Sequence, residues 1–314
     1  MGMATPPKIM LRSGGVAASD RDARAQIHES LGFDDRHFVH TQIRNMFRSE
    51  ICMTDIHFLP GLPAELILST LLNAPGNEIG SGKIASPESS AALVANAFGF
   101  FLTNPASLPA LPLTLDCGWP AASIALEQIV RFPWRGGRHP CLDVLIGTST
   151  ALIGIESKRY EPFRSSVGTE EKKLSDAYWR PVWGDNMEGY QRCRDSVREG
   201  SSQFIRLDVA QLVKHAIALR TEVHDVDDDN EWKGKRPILF YLYAEPEFWP
   251  DGTPVSPYDR IQHRSEIGSF SQLVAGDEVL FRSCSYSELL ATWSASRSEP
   301  ISTHAEAVTK RFFP

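Results

Sequence analysis

The chain has 314 residues, 42% of them hydrophobic and 23% charged, with a net charge of −7. That is the make-up of an ordinary globular protein of one large domain or two small ones, and the acidic balance argues against wrapping nucleic acid by bulk charge. Five widely spaced cysteines with no C-x-x-C pair argue against a structural zinc site and for a reducing, cytoplasmic setting, with neither a signal-like N-terminus nor an apolar run approaching the ~18 residues that span a bilayer.

Residues 1–20 carry Pro, Gly and Ser and read as irregular. Arg21 to Leu31 and Asp35 to Phe47 have helical composition. With a short helix from Pro63 to Leu72 they predict an N-terminal helical extension over 1–85, ahead of a main domain over 86–314. Gly80-Ser81-Gly82-Lys83 has the look of a phosphate-binding loop. The full G-x-x-x-x-G-K-[ST] pattern fails, because Gly76 precedes Gly82 by one position too many and Ile84 stands where Ser or Thr is required. Ser86 to Leu102 predicts a helix, with Ser86 as its N-cap, Pro87 in the first turn, Glu88 at the positive end, and Leu93, Ala97 and Phe100 as an apolar stripe. Pro109 to Pro120 is a proline-rich connection.

Ile124 to Phe132 reads as the first core strand. Glu127 within it is either a third carboxylate for a site or a solvated residue on an edge strand. Pro133 to Pro140 is a loop whose Arg135 and Arg138 suit phosphate contact. Cys141 to Ile146 and Ala151 to Ile155 predict two strands joined by the polar turn Gly147 to Thr150. Side chains alternate faces along a strand, so Leu152, Gly154, Glu156 and Lys158 share one face and Ile153, Ile155 and Ser157 the other. Asp143 stands between apolar Leu142 and Val144, a costly place for an acid unless a cation compensates it. Glu156 follows Asp143 by thirteen positions, enough for a strand, a turn and a return, so a hairpin can bring both carboxylates together at its open end. Two carboxylates beside an ammonium make a hard-cation site suited to Mg²⁺ or Mn²⁺, where metal-bound water attacks a phosphodiester and Lys158 orients that water or stabilises the developing charge.

Beyond this strand, Arg164 to Val182 interleaves Lys172, Lys173 and Arg180 with Tyr178, Trp179 and Trp183. That segment is either a surface for phosphates and bases or a surface helix with buried aromatics. From Arg131 to Arg198 there are twelve Lys and Arg against nine Asp and Glu, a local positive excess around the candidate site. Met187 to Glu199 and Ser202 to Arg220 predict helices. On the second, Val209, Leu212, Val213, Ala216 and Ile217 face a core, and Gln211, Lys214 and His215 neighbour one another on a different face. Pro237 to Ala244 reads as a buried central strand, Tyr258 to Val274 as a helix, Glu278 to Tyr286 as a strand, and Glu288 to Ser294 as a helix capped by Ser287, ahead of a polar tail.

An acid on one strand followed by E-x-K on the next, here Asp143 and then Glu156-Ser157-Lys158, resembles the PD-(D/E)XK, or restriction-endonuclease-like, nuclease superfamily. Pro140 precedes Asp143 by three positions rather than one. The resemblance covers roughly Ser86 to Glu245. It implies an α/β fold with an αβββαβ core, a mixed central sheet flanked by helices, and a Mg²⁺- or Mn²⁺-dependent deoxyribonuclease of repair, restriction or phage defence. It implies Asp143, Glu156 and Lys158 as catalytic residues, with Asp143 and Glu156 on the metal. It adds Glu88 as the acid that a preceding helix often offers, beside Glu127, and Gln211 as the polar residue on the following helix. The implied partner is DNA, contacted by Arg135, Arg138, Arg159, Lys172 and Lys173. No membrane is implied, and a homo-oligomer is left open. A catalytically inactive member of the fold that binds nucleic acid or a protein, and a hydrolase of small phosphoesters, are the other readings.

Overall fold

Five stretches rich in β-branched and aromatic residues pair into one sheet in the computed structural model, which describes residues 57–75, 78–164, 174–225 and 230–313. The strands are β1 (Ser123–Ile129), β2 (Cys141–Gly147), β3 (Ala151–Lys158), β4 (Arg236–Tyr243) and β5 (Leu280–Ser285), lying side by side in that order. β1, β2 and β3 are antiparallel neighbours, while β4 and β5 run parallel to β3, so the sheet is mixed. β4 is buried from Pro237 to Leu242, as its unbroken apolar run requires of a strand covered on both faces.

The parallel pairs need crossovers, and helices supply them. Between β3 and β4 come α3 (Glu188–Glu199) and α4 (Val209–His224), and between β4 and β5 comes α5 (Pro257–Leu273). Their apolar residues share one core with the sheet: Leu142, Leu145, Leu152 and Leu239 from the strands meet Tyr190, Leu212, Leu219, Ile267 and Phe270 from the helices. Each such fully buried side chain stabilises the fold by about 2 kcal/mol. Gly154 lets α4 lie close to β3, since a Cβ there would collide with Leu142 and Leu219. α2 (Ser90–Phe98) packs on β2 and β3 and against α7 (Glu299–Phe312), which in turn packs on α6 (Tyr286–Ser294). α1 (Ala64–Asn73) packs against β1. The chain divides into two units, Met1–Met53 and Thr54–Pro314, and every described residue belongs to the second. The two helices expected between Arg21 and Phe47 lie outside the described residues.

The α/β class and the mixed sheet flanked by helices are found, and several helix starts move. α2 is capped by Ser89, whose side chain accepts from Ala92 N at 3.0 Å. Ser86 instead takes Glu88 N at 3.2 Å, just after a 3₁₀ turn over Lys83–Ala85. α4 starts at Val209 behind Asp208, seven residues later than expected. Glu266 holds the segment before it by accepting the backbone N–H groups of Ile205, Arg206 and Leu207. α6 is capped by Ser285 in a reciprocal box with Glu288, not by Ser287. The polar tail is helix α7, and Arg164 to Val182 contains only the 3₁₀ turn Asp176–Trp179 among its described residues.

Candidate active site

The strand register lines up one acid on each of three neighbouring strands. Leu126 pairs with Val144 and Gln128 with Leu142, which sets Glu127 opposite Asp143. Val144 pairs with Ile155, which sets Asp143 beside Glu156, and Glu156 in turn pairs with Tyr241 of β4. Neighbouring strands lie about 4.8 Å apart, so these carboxylates share a short row across the sheet. Both ladders part at Asp143. Glu127 leaves its ladder with φ of 50°, a left-handed conformation that costs a non-glycine residue about 1–2 kcal/mol. On the other side, Asp143 Oδ2 accepts the N–H of Ser157 at 2.6 Å in place of a backbone pair.

Lys158 and His215 close on Glu156 from two directions. Lys158 Nζ donates to Glu156 Oε1 at 2.5 Å, and His215 Nε2 of α4 lies 2.9 Å from Oε2, all three side chains being largely buried. Burial works against the charge on Glu156, but Lys158 first and His215 second override it and hold its carboxyl down at about 2. Burial likewise opposes the charge on Lys158, and Glu156 and Asp143 more than offset it, so the ammonium titrates above the ordinary lysine value. Asp143 goes the other way: burial, then the charges of Glu156 and Glu127, push its carboxyl well up. Burial also raises Glu127 to about 7, opposed by a hydrogen bond from Cys141 and reinforced by Glu78 and Glu156.

One ammonium therefore faces a row of acids, and the excess charge is what a bound cation offsets. The donors are hard carboxylate oxygens, and Asp143 has only one of its two oxygens in a described hydrogen bond. Among the described residues, no group of three or more His, Cys, Asp or Glu side chains is placed to hold a metal ion. Mg²⁺ is suited to such an open place, since it takes one or two carboxylates and keeps several waters. On that chemistry a pair of these carboxylates, Asp143 with Glu156 or with Glu127, is what could hold the ion.

Of the other expected site residues, Glu88 and Arg159 are engaged away from this row. Glu88 pairs with Arg164 at 2.9 Å on the surface. Gln211 sits at the first turn of α4 and donates its backbone N–H to Asp208, and it is His215, one turn on, that reaches Glu156. Arg159 was expected to meet phosphate, yet it is only 6% exposed and its guanidinium is spent on backbone carbonyls, so that expectation is corrected. Arg135 and Arg138 are exposed on the β1–β2 loop and have no ion-pair or hydrogen-bond partner among the described residues. Lys172 and Lys173 lie outside the described residues. Tyr178 and Trp183 are core residues rather than stacking surfaces.

Sequence reasoning placed His215 on the wrong face and passed over Glu78. The signal for His215 was present: Leu212, His215 and Leu219 fall on one helical stripe, so a polar residue stands inside an apolar face. Glu78, in a loop without periodicity, offered none. Among the described residues no helix is long and apolar enough to cross a membrane. No family model, no curated protein and no solved structure matches the chain.

Proposed function

We propose that this chain is a Mg²⁺- or Mn²⁺-dependent nuclease that hydrolyses DNA phosphodiester bonds. The observation that carries the reading is the row of Asp143 and Glu156 with Lys158 beside it, opened by the parting of both ladders at Asp143. The order α2, β1, β2, β3, two helices, β4 supports it, being the order of the nuclease core that the sequence resembles with one helix more before the last strand. When bound, the ion supplies a polarised water and offsets charge on the leaving oxygen. Asp143 and Glu156 present oxygens to it from adjacent strands. Lys158, held charged by those acids, donates a hydrogen bond at the site of attack, where it orients the water or meets the charge developing on phosphate. His215 Nε2 stands 2.9 Å from the second oxygen of Glu156 and limits the room in which that carboxylate can turn.

One observation favours the non-catalytic alternative: both oxygens of Glu156 already have protein partners. The two readings separate in one assay. Purified protein incubated with single-stranded DNA, duplex DNA and RNA is expected to cut DNA with Mg²⁺ or Mn²⁺ and to stop on chelation. A mobility shift with uncut DNA in both metals would favour a binding module, and neither effect on any substrate would sink the nuclease and leave a protein-binding module or a hydrolase of small phosphoesters.

An acidic protein needs a local surface to hold a polyanion, and the exposed, unpaired Arg135 and Arg138 are the described residues best suited to it. Each phosphate neutralised contributes about −0.9 to the slope of log affinity against log salt on duplex DNA. Replacing both arginines by alanine is expected to weaken binding uniformly across sequences and to make that slope shallower by about 2. Anisotropy in Ca²⁺, which holds DNA without supporting cleavage, measures both. An unchanged slope would show that DNA approaches from elsewhere.

A further inference from the structure

Arg159 follows Lys158 directly, and strand alternation turns it to the opposite side of the sheet. There it is buried, and among the described residues no carboxylate lies within ion-pair distance of its guanidinium: one end donates to the backbone carbonyl of Pro87, just ahead of α2, and Nη2 donates to the carbonyl of Phe312 in the last turn of α7 at 2.9 Å. Its Cζ lies 5.2 Å from the Tyr160 ring centroid and 5.0 Å from that of Phe312. The Nε has no hydrogen-bond partner among the described residues. A buried guanidinium without an anion is a poor way to fill space, since an apolar side chain of similar volume avoids the desolvation cost. What it offers is a rigid fork that ties fixed points on two elements together.

The same stretch of chain is fastened at each neighbouring residue. Ser157 Oγ shares a hydrogen bond with Tyr286 Oη at the start of α6 at 2.8 Å, and the Tyr286 ring packs 5.9 Å from Phe313. Arg159 N donates to Glu161 Oε2 at 2.7 Å, and Glu161 Oε1 accepts from Ser90 Oγ of α2 at 2.6 Å. Lys158 is thus the only residue from Ser157 to Arg159 whose side chain turns to the acid row. The residues on either side of it are bolted to α2, α6 and α7 behind the sheet.

We infer that Arg159 is a positioning residue for Lys158, pinning the last turn of α7 and the approach to α2 against the back of β3 so that Lys158 meets Glu156. As a statement about catalysis this rests on the proposed nuclease function. As a statement about geometry it stands alone.

Arg159→Lys keeps the charge and loses the fork. The variant is expected to lose kcat by on the order of tenfold to a hundredfold, the size of effect that a misplacement near 1 Å produces. Its KM for DNA and its Mg²⁺ requirement are expected to stay within about twofold, with rates referred to folded protein measured by circular dichroism, because a smaller folded fraction would also lower kcat at unchanged KM. Phe312→Ala, which loosens the same anchor and leaves its carbonyl, is expected to shift kcat in the same direction by a smaller factor, and it decides the matter should Arg159→Lys fail to fold. A crystal structure of either variant is expected to show Lys158 Nζ drawn away from Glu156. An active wild type with unchanged kcat in both variants would overturn the inference, and so would a Lys158–Glu156 pair that survives in the variant structures. Should the wild type cut no DNA, the proposed function fails and the variant structures alone decide the positioning role.

Discussion

Lys158→Met and Asp143→Asn are each expected to lower Mg²⁺-dependent DNA cleavage by about a thousandfold or more, equivalent to about 4 kcal/mol of transition-state stabilisation. Both replacements spare the fold as far as chemistry allows. Methionine keeps the stem of Lys158, and asparagine keeps an oxygen to accept the N–H of Ser157. Neither is innocent, because removing Lys158 takes the ammonium away from the buried Glu156, and breaking a buried pair costs about 3–5 kcal/mol. Melting curves must therefore accompany the rates. Glu88→Gln is the matched control: its carboxylate is tied to Arg164 on the surface, and cleavage is expected to stay within about twofold of wild type. Full activity in either Lys158→Met or Asp143→Asn, in folded protein, would end the nuclease proposal.

The hairpin at the heart of this site was legible because its signals are local. The turn Gly147 to Thr150 and the two apolar runs beside it give β2 and β3 almost residue for residue, and period-two alternation puts Glu156 and Lys158 on one face. The row itself was not legible. That Glu127 stands opposite Asp143 depends on the register of β1 with β2 across a loop of eleven residues, 130–140, and no local pattern sets it. Helix starts failed for a related reason. Ser86 does accept the N–H of Glu88, but the helix proper begins behind Ser89, and the N–H groups of Ile205, Arg206 and Leu207 are taken by the distant Glu266, so α4 begins only at Val209. His215 was hidden because it neighbours Gln211 and Lys214 as closely as it neighbours Leu212 and Leu219, and only the packing of α4 on the sheet shows that it is buried with the second pair. Arg159 misled for the opposite reason. Its type suits phosphate, and only the tertiary structure shows its fork engaged by the carbonyls of Pro87 and Phe312.

Divalent cation is expected to stabilise this protein, and more so as the pH rises. Glu127, raised to about 7 from an ordinary value of 4.5, keeps a proton in the folded chain that the unfolded chain has released, and Asp143 is raised in the same sense. A carboxyl with a raised folded value gives its greatest stability below the unfolded value and loses it as pH climbs through the folded one. For Glu127 the loss between those limits is about 3 kcal/mol at most, and less after screening of a partly exposed group. Glu156 runs the other way: held at about 2, its contribution is present above 4.5 and is lost only as the pH falls through 2. The other titratable groups around the row are Glu78, Cys141, Lys158, His215 and Tyr241. Of these, Cys141, Lys158 and Tyr241 titrate above their ordinary values and stay protonated through the window from 4.5 to 7. Without cation, stability is therefore expected to fall from about pH 5 to about pH 7, with Glu127→Gln removing much of the slope. An ion that binds the ionised row displaces those protons, so it competes with them and binds more tightly as they leave. At a concentration near a hundred times its dissociation constant it contributes about 2.7 kcal/mol, or roughly 5 °C in Tm for a unit of this size. That shift is expected to be clear near pH 8 and small near pH 6 at matched ionic strength, so that bulk screening is held constant. A shift of equal size at both pH values would place the ion away from the row. No shift with Mg²⁺ or Mn²⁺ at either pH would mean that Lys158 and protons are all that the row ever holds.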